Sequence, residues 1–271
     1  MLRRWYIPLA ALTVTGGAAV AATAGTASAS PAPANSHVNT APAGVRQGGA
    51  PAHLTKPTGP QASRGGISHA TSTNWSGYAA NGSTYSKVSA SWVQPTATCS
   101  SGSQYSSFWV GLDGYSSNSV EQDGTDSDCS GGSPSYYGWY EMYPNPSHNF
   151  GNTVKPGDTM SASVTHNSGS SYTLVLNDET AGWSATEPAT LSGAPNSSAE
   201  VIIEAPSSSS GVLPLADFGT VNFSNSQVDG AAIGNDSPTE ITMTNSSGAD
   251  KDTVSSLSGG ENFSATWKAS N

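Results

Sequence analysis

Residues 160–176 read MSASVTHNSGSSYTLVL, and this stretch decides the fold. Met160, Ala162 and Val164 lie two residues apart, and a second apolar trio with the same spacing ends the stretch. Side chains two residues apart lie on one face of a β-strand, so each trio predicts a strand with one apolar face. The Gly and Ser residues between the trios are typical of a turn. The stretch therefore predicts two strands joined by a turn.

Similar short segments continue through residues 71–271, separated by Gly, Asn, Asp, Ser and Pro. Val88, Ala90 and Trp92 repeat the two-residue spacing, and no stretch has the period of an amphipathic helix. Many short strands at close spacing predict an all-β protein, an antiparallel β-sandwich of two curved sheets of the concanavalin-like or jelly-roll type. The further candidate strands are 106–112, 136–143, 199–204, 220–223, 240–244 and 263–267.

Residues 1–29 have the pattern of a secretory signal peptide. Arg3 and Arg4 precede an apolar stretch, and Ala27-Ser28-Ala29 is typical of a cleavage site. The apolar stretch is interrupted by Thr and Gly and is short for a membrane span. We therefore expect a secreted, extracellular protein.

Residues 30–70 are rich in Pro, Ala and Gly and show no hydrophobic period, which predicts a propeptide or a linker rather than a folded domain. All four Arg of the chain lie before residue 70, whereas all 19 Asp and Glu lie after it. This distribution favours a propeptide that binds and inhibits the acidic domain 71–271 near neutral pH and detaches in acid. We expect that domain to be a monomer.

The segment after residue 70 is strongly acidic, with four Lys against 19 Asp and Glu, or 4 − 19 = −15 in formal charge. This charge repels nucleic acid and anionic membranes, so neither is an expected partner. In acid, the carboxylates lose their charge and few cations remain to repel one another. The composition fits an acid-tolerant protein, and equally an ordinary soluble secreted one.

Two cysteines, Cys99 and Cys129, are the only ones in the chain. In an exported protein they predict one disulfide, which closes a loop containing Trp109, Asp113 and Gln122. A zinc site is not expected, because two Cys without a His cluster cannot complete the metal's shell. The sequence predicts no metal and no cofactor.

Carboxylates, amides and aromatic residues remain as candidates for chemistry, because there is no Gly-x-Ser-x-Gly elbow to support a serine nucleophile. Glu200 and Glu204 share one face of a candidate strand, which lines a cleft or is simply solvated. Gln122 lies at another candidate strand end. The block Trp139-Tyr140-Glu141-Met142-Tyr143 binds peptide or sugar if exposed and fills the core if buried.

Several segments, taken together and in order, resemble the glutamic peptidases, also called eqolisins or peptidase family G1. No single segment is decisive, but their order along residues 72–271 makes the resemblance specific. The matching segments are Asn74-Trp75-Ser76-Gly77, Phe108-Trp109-Val110-Gly111-Leu112-Asp113-Gly114, Val120-Glu121-Gln122-Asp123-Gly124, Trp139-Tyr140-Glu141-Met142-Tyr143-Pro144, Lys155-Pro156-Gly157-Asp158, Ala199-Glu200-Val201-Ile202-Ile203-Glu204 and Ala216-Asp217-Phe218-Gly219.

The resemblance implies a sandwich with a substrate cleft on one curved face, and an acid endopeptidase that acts on polypeptides. The family's catalytic glutamine corresponds to Gln122, and its catalytic glutamate to Glu204 rather than Glu200. The remaining positions that match the family's site are the cleft aromatics Trp75, Trp109 and Tyr143 and the supporting acids Asp113 and Glu141.

One segment departs from the family pattern. The family usually has Tyr-Asp-Ala-Trp where this chain has Tyr136-Tyr137-Gly138-Trp139, so an acidic neighbour of the site is missing. Glu121 is the residue we expect to compensate for it in part.

The chemistry of the implied pair is consistent with proteolysis in acid. Ionised Glu204 can take a proton from the attacking water and return it to the leaving amine, and a Glu of near-normal pKa is still substantially ionised at pH 4. Gln122 can hold the same water and donate its amide N–H to the oxyanion, without titrating. Two alternatives remain open: a glycosidase that uses Glu141 with Glu204, and a non-catalytic carbohydrate-binding module.

Overall fold

A computed structural model describes residues 66–271, which fold into eighteen strands and one short 3-10 helix, Ile233–Asp236. The predicted signal peptide and nearly all of segment 30–70 lie outside the described residues. The strands are β1 Ser68–Ser72, β2 Trp75–Asn81, β3 Lys87–Val93, β4 Ser107–Leu112, β5 Val120–Ser130, β6 Ser133–Tyr143, β7 His148–Thr153, β8 Thr159–Ser168, β9 Ser171–Asp178, β10 Trp183–Thr190, β11 Ser198–Glu204, β12 Ser207–Ser208, β13 Gly211–Val212, β14 Thr220–Val228, β15 Ala231–Ala232, β16 Thr239–Met243, β17 Asp252–Val254 and β18 Phe263–Trp267.

The strands form two large sheets, which confirms the predicted β-sandwich. The first sheet has the order β1-β16-β2-β11-β4-β5-β6-β7, and the second has the order β10-β9-β8-β3-β14-β18-β17, with β15 paired to β14. All pairs are antiparallel except β1 with β16, which are parallel. Strands β12 and β13 form a small separate hairpin directly after β11.

The hydrophobic core lies between the two sheets, and alternation along the strands builds it. In β3, Val88, Ala90 and Trp92 point inward and are buried, while the residues between them are not. Trp92 pairs with Met160 of β8, so the trios recognised in the sequence meet across one ladder of the second sheet. Phe108, Val110 and Leu112 of β4 are among the residues that cover this core from the first sheet.

The first strand begins at Ser68, inside the segment 30–70 for which the sequence predicts a propeptide or a linker. Its sequence SHATS holds one apolar residue, Ala70, so no hydrophobic pattern marks it, and it is ordered instead by backbone pairing with β16.

The predicted disulfide between Cys99 and Cys129 is present, with a sequence separation of 30 residues. It links the loop before β4 to the C-terminal end of β5, and so stabilises the strand that carries Gln122. None of the helices that the described part of the chain forms is long and apolar enough to cross a membrane.

Candidate active site

The outer face of the first sheet, turned away from the core, carries most of the candidate residues. Alternation along β11 sends Val201 and Ile203 into the core and leaves Glu200, Ile202 and Glu204 on the outer face. Every residue of β11 is buried, so the solvated-face interpretation of its glutamates is wrong.

Register places the outer-face residues in rows that run across the strands, since paired residues of antiparallel strands point to the same side. The three rows are Glu204–Ser107–Asp126–Tyr137, then Ile202–Trp109–Gly124–Trp139, and then Glu200–Gly111–Gln122–Glu141. The sheet therefore brings Glu204, Gln122, Glu141 and Trp109 to one surface, with one row between the two catalytic candidates.

Glu204 ends β11 and is held by N–H donors on both carboxylate oxygens. The indole Nε1 of Trp109 donates to its Oε2 at 3.0 Å, and the side-chain Nδ2 of Asn74 donates to its Oε1 at 3.3 Å. The indole N–H of Trp75 faces the same carboxyl without reaching hydrogen-bond geometry. Trp75 lies directly opposite Glu204 in the pairing of β2 with β11, so the neighbouring strand presents it to the carboxyl.

Burial raises the pKa of Glu204 to about 8, and the surrounding N–H groups oppose this rise only in part. The nearby charge of Asp126 adds to it. This differs from the near-normal pKa expected from the sequence, because the sequence did not show that the carboxyl is fully buried. Glu204 is therefore protonated throughout the acid range.

Gln122 is fixed by Glu141. Its Nε2 donates to Oε2 of Glu141 at 2.8 Å, across the directly paired positions of β5 and β6. Both side chains are buried. Since an amide NH2 has two N–H donors, this bond orients the side chain while using only one of them.

Trp109 links the two catalytic candidates. Its Nε1 donates to Glu204. Elsewhere on the ring, Cζ3 lies 2.9 Å from the position that a Cβ at residue 111 would occupy, and Cβ of Gln122 lies 3.2 Å from the same position. The indole thus reaches from Glu204 to the side of Gln122. The residue at 111 must be glycine for this ring position, because any side chain there would overlap the indole.

Asp126 and Asp128 on β5 provide the acidic neighbour whose loss was expected from the sequence. Trp139 Nε1 donates to Oδ1 of Asp126 at 2.6 Å, and the hydroxyl of Tyr137 lies 2.8 Å from Oδ2 of Asp126 and 2.7 Å from Oδ2 of Asp128. Asp126 shares the row of Glu204. This cluster was not predicted from the sequence, although the alternation of Gln122, Gly124 and Asp126 along β5 places Asp126 on the same face as Gln122.

The Tyr137 hydroxyl has a single proton but lies within hydrogen-bond distance of two carboxyls. It can donate at full strength to only one of them, and a proton on the other carboxyl allows that carboxyl to donate to the phenol oxygen. In agreement, burial and the neighbouring Asp126 raise the pKa of Asp128 well above its usual range. We assign the shared proton to Asp128.

Glu121 does not compensate for the missing acid, because it points to the opposite face of β5 from Gln122. Its pKa is raised to about 9, first by burial and then by the charge of Asp113. Asp123, on the same face as Glu121, is also buried toward the second sheet with a raised pKa.

Asp113 organises a loop at the end of β4. Its carboxylate accepts the backbone N–H groups of Asn196 and Ser197 at 2.7 and 2.8 Å, and the hydroxyl of Ser197 at 3.1 Å. These bonds anchor the start of β11 and leave Asp113 outside the three rows of the candidate site.

Glu200 faces Gln122 across Gly111, and the Ser198 hydroxyl and the Tyr115 backbone N–H lie near its carboxyl without reaching hydrogen-bond geometry. Complete burial raises its pKa well above the usual range. It is a buried acid on the same strand and face as Glu204, but no side-chain N–H group holds it as Trp109 and Asn74 hold Glu204.

Aromatic side chains surround these polar groups. The rings of Trp75 and Trp109 meet edge to face with centroids 4.9 Å apart, and Trp139 and the half-buried Tyr143 pack in the same cluster. Tyr140 lies on the other face of β6, where it stacks on His148. The aromatic block of β6 is thus divided between the site and the rest of the sandwich.

Among residues 66–271, no three His, Cys, Asp or Glu side chains are grouped so that they could hold a metal ion. The candidate site offers proton transfer and amide hydrogen bonding, through Glu204 and Gln122.

Comparisons with known proteins agree with this geometry. The Peptidase A4 family matches residues 73–267. Aspergillopepsin-2 of Aspergillus niger is 31% identical over 200 residues, which cover 64% of this chain and 69% of that protein. Scytalidopepsin B of Scytalidium lignicola is 37% identical over 111 residues, and the match spans 41% of its length and 40% of this chain.

Solved structures match as well. A crystal structure of scytalido-glutamic peptidase with a transition state analogue inhibitor is 28% identical with a TM-score of 0.64, and the match covers 72% of this chain and 98% of that one. The crystal structure of aspergilloglutamic peptidase from Aspergillus niger is 26% identical with a TM-score of 0.54, covering 61% of this chain and 99% of that one. Neither the glycosidase nor the carbohydrate-binding alternative is favoured by these relatives. The chain belongs to the Peptidase A4 family, the glutamic peptidases that its ordered motifs predicted.

Proposed function

We propose that this protein is a secreted acid endopeptidase in which Glu204 and Gln122 activate a water molecule against the scissile peptide bond. The observation that carries the proposal is the placement of both side chains on one buried face, with the indole of Trp109 reaching from one to the other. No covalent intermediate is needed, because water is the nucleophile and the carboxyl group moves every proton that the reaction requires.

The raised pKa of Glu204 sets the order of proton transfers. Glu204 begins protonated and gives its proton to the carbonyl oxygen as water attacks the carbonyl carbon. Its carboxylate then takes the surplus proton of the attacking water, which leaves a neutral tetrahedral diol. In the second half, Glu204 protonates the leaving nitrogen and accepts a proton from one diol hydroxyl. One water is consumed, and Glu204 ends protonated as it began.

Gln122 positions the water and donates an N–H to the oxygens of the tetrahedral diol. Its bond to Glu141 holds the amide at a fixed orientation, so no reorganisation is needed during the reaction. Because an amide does not titrate, this donor works equally well across the acid range. Glu141 is thus a positioning residue for Gln122.

The aromatic residues around the pair form the proposed walls of the substrate cleft. Trp75, Trp109 and Tyr143 offer flat apolar surfaces to side chains of a bound polypeptide. For Asp113 we propose an indirect role, because its bonds to the backbone of Asn196 and Ser197 anchor the loop before β11 and so support the cleft.

We further propose that residues 1–29 direct export, that the segment 30–70 is a propeptide, and that the mature domain is a monomer. The segment's cations and the acidic domain are expected to attract each other near neutral pH and to separate in acid. Equal affinity of an isolated 30–70 peptide for the mature domain at pH 7 and pH 4 would contradict this electrostatic release.

The function is tested by cleavage of a denatured protein between pH 2 and pH 7 in the presence of pepstatin and a chelator. We expect acid-peaked cleavage that resists both inhibitors, and a loss of about 10²–10³-fold in Gln122→Ala. Gln227→Ala is the matched control. Gln227 lies in β14 of the second sheet, where it donates to Glu261, so its substitution should leave activity unchanged. No cleavage by folded, mature wild type would refute the proposal.

A further inference from the structure

A cavity of about 420 Å³ is lined in part by Thr73, the chain neighbour of Asn74, and contains the only buried lysine among residues 66–271. We call it the Lys251 cavity. Its lining residues include Thr73, Val212, Thr244, Asn245, Ser246 and Lys251.

Lys251 is only 3% exposed, whereas Lys87, Lys155 and Lys268 are exposed. Within residues 66–271 the one ion pair joins His69 and Glu240, so the Lys251 ammonium has no carboxylate within 4 Å. A buried ammonium without a counter-ion is costly, and proteins retain such groups mainly at functional sites.

The neighbouring acids do not neutralise this charge at close range. The carboxyl of Asp252 is engaged elsewhere, because it accepts the hydroxyl of Ser76 and the backbone N–H of Met243. Asn271 also lines the cavity, but it forms no ion pair with the Lys251 ammonium. Burial lowers the pKa of Lys251 to about 8, so the ammonium is charged throughout the acid range.

Further hydrogen-bond donors lie on the same wall. The side-chain oxygen of Asn245 accepts the backbone N–H groups of Ser247 and Ala249, which leaves its NH2 group as a donor. Ser246 adds a hydroxyl to the lining. An ammonium accompanied by amide and hydroxyl donors is suited to an anion.

The chain connects the cavity to the candidate catalytic glutamate from two sides. Thr73 directly precedes Asn74, which donates to Glu204. Val212 lies in the β12–β13 hairpin, which begins three residues after Glu204. A peptide bound at Glu204 therefore needs only a few residues to reach the Lys251 cavity, at about 3.3 Å per extended residue.

We propose that the Lys251 cavity binds a carboxylate of the peptide substrate, and so makes the enzyme prefer substrates with a negative charge a few residues from the cleaved bond. This inference rests on the proposed peptidase function. The carboxylate can come from the substrate's C-terminus or from an Asp or Glu side chain, since both present the same group to the ammonium.

Matched peptides distinguish the two sources. One pair shares a cleavage sequence and ends in either a carboxylate or a carboxamide, and a second set ends in carboxamide and carries Glu or Gln at successive positions around the cleaved bond. At pH 5 both kinds of carboxylate are largely ionised. We expect wild type to show kcat/KM about tenfold higher for the charged member of one set, equivalent to about 1.4 kcal/mol. The preference should fade at pH 3, where the substrate carboxylate becomes protonated.

Lys251→Met removes the charge at similar length, and we expect it to reduce the preference to less than about twofold while carboxamide peptides are still cleaved. Lys268→Met is the matched control. The Lys268 side chain is exposed, and its backbone N–H donates to the backbone oxygen of Lys251, so this variant should keep the preference.

Either of two results would overturn the inference: no preference in wild type, which needs no variant to fold, or an unchanged preference in Lys251→Met. Failure to cleave any of the peptides, charged or uncharged, would instead refute the proposed peptidase function, and with it the cavity's role as a substrate site.

Discussion

At the scale of single residues, Glu200 and Glu204 form a natural comparison, since both are buried on one face of one strand. We predict that Glu204→Gln lowers kcat/KM at pH 4 by about 10²–10⁴-fold, because the glutamine cannot cycle a proton. Glu200→Gln should have a much smaller effect, since no side-chain N–H group holds Glu200 as Trp109 and Asn74 hold Glu204. Steady-state kinetics with one peptide, supported by circular dichroism of both variants, makes the measurement.

The reverse pattern, with Glu200→Gln inactive and Glu204→Gln active, would show that Glu200 cycles the proton and Glu204 does not. It would also fit the register, which places Glu200 directly across Gly111 from Gln122. The experiment thus decides between the row geometry and the hydrogen-bond geometry.

A second residue-scale prediction concerns the proton shared around Tyr137. Asp128→Asn should leave stability at pH 4 within about 1 kcal/mol of wild type, because the amide donates to the phenol oxygen as a protonated carboxyl does. Between pH 4 and pH 7 the variant should lose less stability than wild type, since a group with raised pKa has been removed. Urea unfolding at both pH values measures this difference.

An equal loss in wild type and Asp128→Asn would show that the proton lies on Asp126 instead. Asp126→Asn, which removes the acceptor of the Trp139 indole, is the comparison variant and is expected to be destabilised at both pH values.

Much of the residue-scale site followed from the sequence, and its errors have a common cause. Motif order placed Gln122, Glu204, Glu141 and the cleft aromatics on residues that the fold brings to one face. It could not show that Glu204 is buried, because burial depends on side chains from distant strands, and so the expected pKa was too low. Glu121 was expected to compensate in part for a missing acidic neighbour, although strand alternation turns it away from Gln122.

At the scale of elements, β5 shows most clearly where sequence patterns fail. Its eleven residues, VEQDGTDSDCS, contain few apolar side chains, and only its first four were recognised as strand. Ten of them are buried, because one face forms the candidate site and the other packs its acids against the second sheet. A strand that is polar on both faces has no hydrophobic period to detect. The apolar strands β3, β4, β8, β9 and β18 were all recognised.

Gly124 in β5 provides an element-scale prediction. A Cβ at this position would lie 2.2 Å from the backbone oxygen of Phe108 and 2.6 Å from Cβ of Trp109. Gly124→Ala should therefore force β4 and β5 apart and lower the free energy of unfolding by at least about 3 kcal/mol. Thermal or urea unfolding measures the loss.

Gly102→Ala is the control, since its new Cβ would meet only the side-chain nitrogen of Gln104 at 4.0 Å. It should be neutral within about 0.5 kcal/mol. Similar stability of the two variants would contradict the close approach of β4 and β5.

At the scale of the whole molecule, buried acids predict a protein that is most stable in acid. Burial raises the pKa of Glu121 to about 9, of Glu204 to about 8 and of Asp252 to about 7, and it raises those of Asp123 and Glu200 as well. The folded state then binds more protons than the unfolded state between about pH 4 and pH 8. Stability falls with rising pH wherever the folded state holds the extra protons.

We therefore predict a continuous decrease of Tm from pH 4 to pH 8, measured by calorimetry on the mature domain. The small number of cations in this part of the chain limits repulsion at the acid end. A Tm that rises toward neutral pH would contradict the protonated state of these carboxyls. Glu121→Gln and Asp123→Asn, which mimic the protonated forms, should flatten the decrease.

The pairing of indole N–H groups with the acids of the site has a spectroscopic consequence. Trp109 donates to Glu204 and Trp139 to Asp126, so two of the protein's seven indoles are bonded to groups that titrate in or beside the site. In ¹⁵N-labelled protein, each indole gives its own cross-peak, whose position depends on the charge of the acceptor. The resonances of Trp109 and Trp139 should therefore trace the ionisation of each acid separately, without any substrate or label in the cleft.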